Sequence, residues 1–285
     1  MMAIRHCHWL LLLLTSLWHY SPTPTLALSE TANGASSSTT TTYQLKYFNA
    51  RGAAETSRLL FATAEVDYED VRFGFDPKTQ SSPGFQSAVE LRELVANMNR
   101  APVLVVTTTQ EDEDDDKNRM NEECTEIILG QSKTIERYLA RTFGLMGTND
   151  LEAAQIDCIT EHCRDIKDAQ QRKRFSAMVK DRSDEEKEEA KQEWFDKDLP
   201  ALLRLLEGAI QVYQTRIGIA VGSSLSLADL TVWGLLKDGF PQYQEQVWKA
   251  VETCSGGTTL GEICDMVESD ERVKGWLEKR PETGF

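Results

Sequence analysis

The feature that most constrains the fold is a change of pattern near residue 149. Before this point, short β-branched runs alternate with helical segments, whereas after it the spacing of apolar residues is almost wholly helical. Helices are predicted over 151–180, 183–210, 226–236 and 267–277. A chain of 285 residues is long enough to bury two cores. The pattern therefore predicts a mixed α/β unit followed by an all-α unit.

The first unit is predicted to run β-α-β, linker, β-β-α. Apolar residues alternate from Tyr43 to Tyr47, which predicts a first strand, and helical spacing over 52–64 predicts a helix. The remaining elements are strands over 68–73, 102–107 and 125–129 and a helix over 132–141, with a mixed stretch over 76–100.

The N-terminal 28 residues have the pattern of a signal peptide. Arg5 precedes an apolar run over 9–18, and residues 25–27 include small side chains at cleavage-like positions. The run is far shorter than the ~20 residues of a membrane-spanning helix. We expect entry into the secretory pathway, with an organelle leader, an uncleaved anchor and a cytoplasmic location as alternatives. Residues 29–42, rich in Ser and Thr, are predicted to be a flexible spacer.

Six consecutive carboxylates occupy residues 111–116, between the third and fourth predicted strands. Because like charges repel, the run must stay in water. We expect a solvated hairpin insertion over 109–123. A calcium-binding loop is the alternative, but the run lacks the EF-hand spacing and its glycine.

Charge and cysteine usage exclude several functions. The formal charge of −15 repels phosphate backbones, so no nucleic-acid partner is expected. The six cysteines show no CxxC spacing and no His/Cys cluster, so no metal site is predicted. Without Cys7 of the leader the number is odd, and the fold is not expected to depend on disulfides.

Four segments carry a resemblance to a known family: YQLKYFNARGAAE (43–55), NRAPVL (99–104), GQSKTIERYL (130–139) and WLEKRP (276–281). They resemble glutathione transferases of the sigma class, which also includes glutathione-dependent prostaglandin D synthases. The resemblance implies a thioredoxin-like glutathione-binding domain over 43–144 and an all-helical C-terminal domain over 150–285. It also implies glutathione as cosubstrate and a homodimer.

The resemblance implies that Tyr47 activates the glutathione thiol. A free thiol with a pKa of ~8.5 is only about 3% ionised at pH 7, and a hydroxyl that donates a hydrogen bond favours the thiolate. Arg51 is expected to assist. From the pattern alone Tyr47 would be a half-buried strand aromatic, which stays the alternative. Tyr43, on the same strand face, is expected to lie in the core.

Further residues are implied to hold glutathione. Gln131 and Ser132 precede a predicted helix, whose free amides attract anions, and the resemblance assigns them the γ-glutamyl carboxylate. A helix N-cap alone is the other reading. Pro102 is expected to be cis and to turn the backbone of Ala101 toward the cysteinyl part of glutathione. An ordinary trans proline is its alternative.

Carboxylates recur every fourth residue at Asp157, Glu161 and Asp165, so they share one helix face. The resemblance implies that Asp165 reaches the glutathione of the partner subunit. A solvated helix face is the alternative.

The chain departs from the family pattern at several positions. Ala53 stands where many sigma-class members have a second arginine, which weakens the expected support of the thiolate. Arg92 and Glu93 fall near the lysine expected at the glycine end of glutathione. The electrophile pocket is expected to include Phe48, His162 and Phe285.

The predicted activity is transfer of glutathione to small hydrophobic electrophiles, or glutathione-dependent isomerisation or reduction. The alternative is a non-catalytic ligand-binding or crystallin-like structural protein, since a fold hosts many functions.

Overall fold

A computed structural model describes residues 37–76, 78–79, 81–112, 121–176, 178–254 and 258–283. The predicted leader (1–28) and the first part of the predicted spacer (29–36) lie outside the described residues. None of the helices in the described ranges is long and apolar enough to span a membrane.

A four-stranded mixed sheet forms the first half, in the order β2-β1-β3-β4. Its strands are β1 (Ser37–Phe48), β2 (Glu69–Phe73), β3 (Val103–Asp112) and β4 (Asn121–Gly130). β1 and β2 are parallel. The pairs β1–β3 and β3–β4 are antiparallel. The predicted succession of strands along the chain, one pair on each side of the mixed stretch, is confirmed.

The helices of the first half are α1 (Glu55–Ala64), α2 (Pro83–Glu90) and α3 (Ser132–Thr142). A 3-10 turn, Gly52–Ala54, leads into α1, and another, Val95–Asn97, follows α2. α1 forms the crossover that a parallel strand pair requires. α2 lies within the stretch described only as mixed, because eight residues give too short a periodic pattern to recognise.

The second half is helical, as predicted. It contains α4 (Asp150–Lys173), α5 (Asp184–Glu193), α6 (Leu199–Tyr213), α7 (Leu227–Trp233), α8 (Gln244–Thr253), α9 (Thr258–Ser269) and α10 (Glu271–Lys279). π-helical turns, Trp194–Asp198 and Gly234–Asp238, follow α5 and α7. The helix predicted over 151–180 ends earlier, because Arg174 adopts a left-handed conformation. α8 was missed.

The predicted spacer is wrong for residues 37–42, which belong to β1. Thr40, Thr41 and Thr42 lie opposite Thr109, Thr108 and Thr107 of β3. The composition of this segment predicts little apolar burial, but threonine is β-branched and suits a strand. Pairing with β3 supplies the backbone hydrogen bonds.

The predicted acidic insertion is also shorter than 109–123. The ladder between β3 and β4 continues to the pair Asp112 and Asn121, so strand pairing extends into both ends of that segment. In an antiparallel ladder the backbone groups of the two strands pair with each other. Residues 113–120 lie outside the described part of the chain.

The main apolar core is continuous between the two halves. Leu45 and Leu59 of the first half belong to one buried cluster with Ile156 and Leu230 of the second. A smaller cluster, which includes Phe73 and Leu94 beneath α2, covers the other face of the sheet. The five cysteines among the described residues are free thiols.

A buried carboxylate begins α7 inside this core. Asp229 accepts hydrogen bonds from the amides of Ala220 (2.6 Å) and Ser226 (2.8 Å) and from the Ser226 hydroxyl (2.7 Å). It completes a capping box with Ser226, the N-cap residue of α7. Burial raises the pKa of Asp229 to about 6, although these hydrogen bonds act in the opposite direction.

We expect Asp229→Ala to lower the free energy of unfolding by about 2–4 kcal/mol, because two buried amides lose their acceptor. Asp184→Ala is the matched control, since Asp184 also lies in the first turn of a helix but has a 99% exposed side chain. Its effect should stay within about 0.5 kcal/mol. Equal losses in urea denaturation would contradict this account.

Candidate active site

A cavity of about 740 Å³ opens between the sheet end, α3, α4 and the segment after α7. Three of the predicted site residues, Tyr47, Gln131 and Ser132, line this cavity. The structure therefore brings together residues that are 84 positions apart in the chain, the separation of Tyr47 and Gln131.

Tyr47 ends β1 with its hydroxyl beside the turn that leads into α1. The amide of Ala53 donates a hydrogen bond to Tyr47 Oη at 3.1 Å. Because the phenol oxygen accepts this bond, its own O–H remains free to donate. No acceptor for that proton lies within hydrogen-bond distance among the described residues.

Gly52 allows the Tyr47 hydroxyl to sit where it does. The residue has φ +41°, a conformation that side chains disfavour. A Cβ added there would lie only 2.6 Å from Tyr47 Oη. Glycine is thus needed both for the backbone turn and for the space.

Tyr43, predicted to lie in the core, is partly buried and packs against the main core. Its ring packs edge-on against Phe61 (5.5 Å between centroids) and Phe143 (5.8 Å). Burial raises the pKa of Tyr43, with a further contribution from Tyr138. Two tyrosines on one strand face therefore have different surroundings.

Gln131 and Ser132 lie at the N-terminus of α3. Gln131 is the cap residue, with φ +68°, and its side chain makes no capping hydrogen bond. The amides of Thr134 and Ile135 bond the Gln131 carbonyl, so those of Ser132 and Lys133 precede the first intrahelical donors. The helix start therefore has backbone amides without intrahelical acceptors, which is the type of group that suits an anion.

The Ala101–Pro102 peptide is cis, so the predicted isomer is confirmed. Neither residue is part of the cavity lining. They directly precede β3, whose first residue, Val103, lies opposite Gly130. The turn is therefore adjacent to Gln131, at the edge of the cavity.

Asn97, which no sequence pattern singles out, links this turn to Gln131. Asn97 Nδ2 donates to the Pro102 carbonyl (2.9 Å), and Asn97 Oδ1 accepts from the Gln131 amide (3.2 Å). The side chain is buried, with 4% exposed. A buried amide that satisfies two backbone groups positions both of them.

Arg51 does not line the cavity, which corrects the prediction that it assists the thiolate. Its guanidinium donates to Asp238 Oδ1 (3.0 Å) and to the Thr283 carbonyl (3.3 Å). A guanidinium forms strong charge-assisted hydrogen bonds with a carboxylate, and the Asp238 carboxylate is largely buried. Arg51 thus joins the first half of the chain to the second.

Asp238 belongs to a buried charge cluster around Glu55. Glu55 Oε1 accepts from Trp276 Nε1 and from Arg280, both at 2.9 Å, and Oε2 accepts from Arg58 at 3.2 Å. Burial would lower the pKa of Arg280, but hydrogen bonds to Asp238 and Glu55 raise it. Glu55 also lines the cavity, so this cluster forms part of its floor.

The carboxylates of α4 have separate surroundings. Asp157 and Glu161 both pair with Arg137, the former at 2.7 Å. Asp165 is exposed and outside the cavity of its own chain, where Asp168 contributes instead. The assignment of Asp165 to a partner's glutathione stays a prediction.

The prediction that Phe48 and His162 line the electrophile pocket is wrong, because neither residue lines the cavity. Phe48 packs against Phe85 (5.0 Å between centroids) in the smaller core, and exposed His162 contacts Cys158 (3.3 Å). Phe285 lies outside the described residues. The second half contributes residues of α4 and of the segment 234–241 to the cavity.

At the expected glycine end, Glu93 pairs with Lys46 at 2.7 Å and Arg92 is exposed. Neither lines the cavity. In the described ranges, no three His, Cys, Asp or Glu side chains are grouped so as to hold a metal ion.

Comparison with known proteins gives one consistent result. A family model described as "Glutathione S-transferase, C-terminal domain" matches residues 169–280. Glutathione S-transferase 3 of Caenorhabditis elegans is 28% identical over 243 residues, which cover 85% of this chain and 99% of the relative. S-crystallin 2 of Octopus vulgaris is 30% identical over 254 residues, covering 85% and 99%.

A solved structure of a glutathione S-transferase is also similar to this chain. A glutathione S-transferase of the hookworm Necator americanus, described as monomeric, matches with a TM-score of 0.61 at 25% identity, over 86% of this chain and all of that one. These comparisons, together with the fold, show that this chain belongs to the glutathione S-transferase family.

Proposed function

We propose that the protein is a glutathione transferase in which Tyr47 donates a hydrogen bond to the thiolate of glutathione. The observation that carries this proposal is the Tyr47 hydroxyl, whose oxygen accepts from the Ala53 amide and whose proton is free beside the cavity. The N-terminus of α3 lines the same cavity.

The required effect is within reach of one hydrogen bond. A charge-assisted bond is worth about 1.5–3 kcal/mol, and about 1.36 kcal/mol corresponds to one pKa unit. The thiol pKa would fall by roughly one to two units. At pH 7 the thiolate fraction would then rise from about 3% to between about a quarter and three quarters.

Glutathione would bind along the edge of the cavity between the N-terminus of α3 and the cis-proline turn at Ala101. The free amides of Ser132 and Lys133 and the positive end of α3 suit the γ-glutamyl carboxylate. The backbone of Ala101, held by the Asn97 link, would pair with the cysteinyl part. Each contact uses groups whose positions are fixed by the fold.

The second candidate is a ligand-binding or structural protein without turnover. It is favoured by the S-crystallin relative and by Ala53, which offers only its backbone amide where an arginine side chain was expected. The two candidates differ in turnover, not in the fold or in glutathione affinity.

Tyr47→Phe should lower kcat/KM for glutathione conjugation to a chloronitrobenzene by at least about tenfold, because the thiolate loses its donor. Glutathione affinity, measured by calorimetry, should change less than about threefold. Tyr43→Phe is the matched control, since it removes a hydroxyl from the same strand face outside the cavity. It should retain activity within about twofold. Glutathione binding without turnover in the wild type would favour the structural candidate.

Gly52→Ala should reduce conjugation by about tenfold or more, because the added Cβ displaces the Tyr47 hydroxyl. Gly144→Ala is the control: Gly144 also has a positive φ, +72°, but nothing lies within 4 Å of its added Cβ. Both variants place a side chain at a positive φ, so backbone strain is present in each. Equal activity per folded molecule in the two would show that the Gly52 contact has no role.

We also propose a homodimer, from the family resemblance and from exposed groups on α3 and β4. A groove of about 560 Å³ runs along α3 beside Tyr138, and Ile127 of β4 is 53% exposed. Light scattering should give the mass of two chains, and Asp165→Ala should weaken glutathione binding by about threefold or more. A monomer, as described for the hookworm relative, would contradict this assembly.

A further inference from the structure

The wall of the cavity that faces the second half is polar. α4 contributes Arg164, Lys167, Asp168, Gln170 and Gln171. Apolar lining on this side is limited to a few residues, among them Phe240 and Pro241. Pockets for wholly apolar ligands are lined mainly by hydrophobic and aromatic side chains. This wall therefore does not fit the apolar electrophile expected from the sequence.

Most of the charges around the cavity are already paired. Lys133 binds Glu136 at 2.8 Å, and Arg164 binds Glu161 at 2.5 Å. Asp238 binds Arg280 at 2.8 Å. Paired charges contribute little net attraction for a further ion.

Among the described residues of this wall, Lys167 is a cation without an ion pair, whereas Arg164 is paired. Within the described part of the chain, no carboxylate oxygen lies within 4 Å of its ammonium. The nearby Glu136 and Asp238 carboxylates belong to the pairs given above. Burial lowers the pKa of Lys167, and the Lys133 charge acts in the same direction. An anion that binds a half-buried ammonium without a counterion offsets the free-energy cost of that unpaired charge.

Asp168, the next residue, does not neutralise Lys167. It is exposed, and consecutive helix residues point about 100° apart. No ion pair joins the two side chains. Across the cavity the lining includes Ala53, whose short side chain leaves space near Tyr47.

We infer that Lys167 binds an anionic group on the electrophile, so that the protein prefers electrophiles that carry a carboxylate. The inference rests on the proposed function, because it assigns the second substrate of that same site. In a substitution reaction the glutathione sulfur forms a C–S bond as the C–Cl bond breaks. Chloride leaves, and the thiol proton passes to solvent. The carboxylate takes no part in these bond changes.

The test compares 4-chloro-3,5-dinitrobenzoate with 4-chloro-3,5-dinitrobenzamide, which share a leaving group and differ in charge. Conjugation is measured with the full chain. Lys167→Met should lower the ratio of kcat/KM for the acid to that for the amide by about tenfold or more. Lys167→Arg should retain most of that ratio, since the charge is kept. Lys180→Met, the control, removes an exposed lysine outside the cavity and should leave the ratio unchanged.

An unchanged ratio in Lys167→Met would overturn the inference while leaving the proposed function intact. Wild-type protein that conjugates neither compound would instead contradict the proposed function. The Kd of the glutathione conjugate of the benzoate, measured by calorimetry, then decides the inference separately. Weakening of about tenfold in Lys167→Met supports it, and equal affinity overturns it.

Discussion

The buried charge cluster around Glu55 is the interaction on which the cavity depends. Glu55 at the start of α1 binds Trp276 and Arg280 of the C-terminal region, and Arg280 in turn binds Asp238 after α7. Such a cluster adds little net stability compared with apolar packing, but removing one partner of a buried pair costs about 3–5 kcal/mol. The cluster therefore fixes how the sheet half meets the helical half, and the cavity lies along that junction.

The chemistry follows from the turn that this cluster holds in place. α1 begins at Glu55, so its fixed position also fixes the preceding turn with Gly52 and Ala53. Because Gly52 has no side chain, the Tyr47 hydroxyl has space beside it. The Ala53 amide donates a hydrogen bond to the phenol oxygen of Tyr47. The replacement of a family arginine by Ala53 thus removes a side-chain charge but leaves a backbone donor. Across the cavity, Lys167 supplies a positive charge from the opposite wall.

Local patterns allowed much of this to be predicted from the sequence. Strand alternation and helical spacing predict the order of elements along the chain. The motifs around Tyr47, Gln131 and Ser132 predict a shared site, and the three residues line one cavity. Contacts between distant segments could not be read in this way: Arg51 turns to Asp238, 187 residues away, and Asn97 reaches Gln131. The threonines before Tyr43 pair with a strand because of their partner in β3, which their composition does not reveal.

The central claim is that Tyr47 stabilises the glutathione thiolate. The most direct measurement is the pKa of enzyme-bound glutathione, followed by the ultraviolet absorbance of its thiolate as pH is raised. The account predicts that the bound thiol has a pKa roughly one to two units below the free value of ~8.5, and that Tyr47→Phe returns it toward that value. A bound thiol with the same pKa in both proteins would contradict the claim.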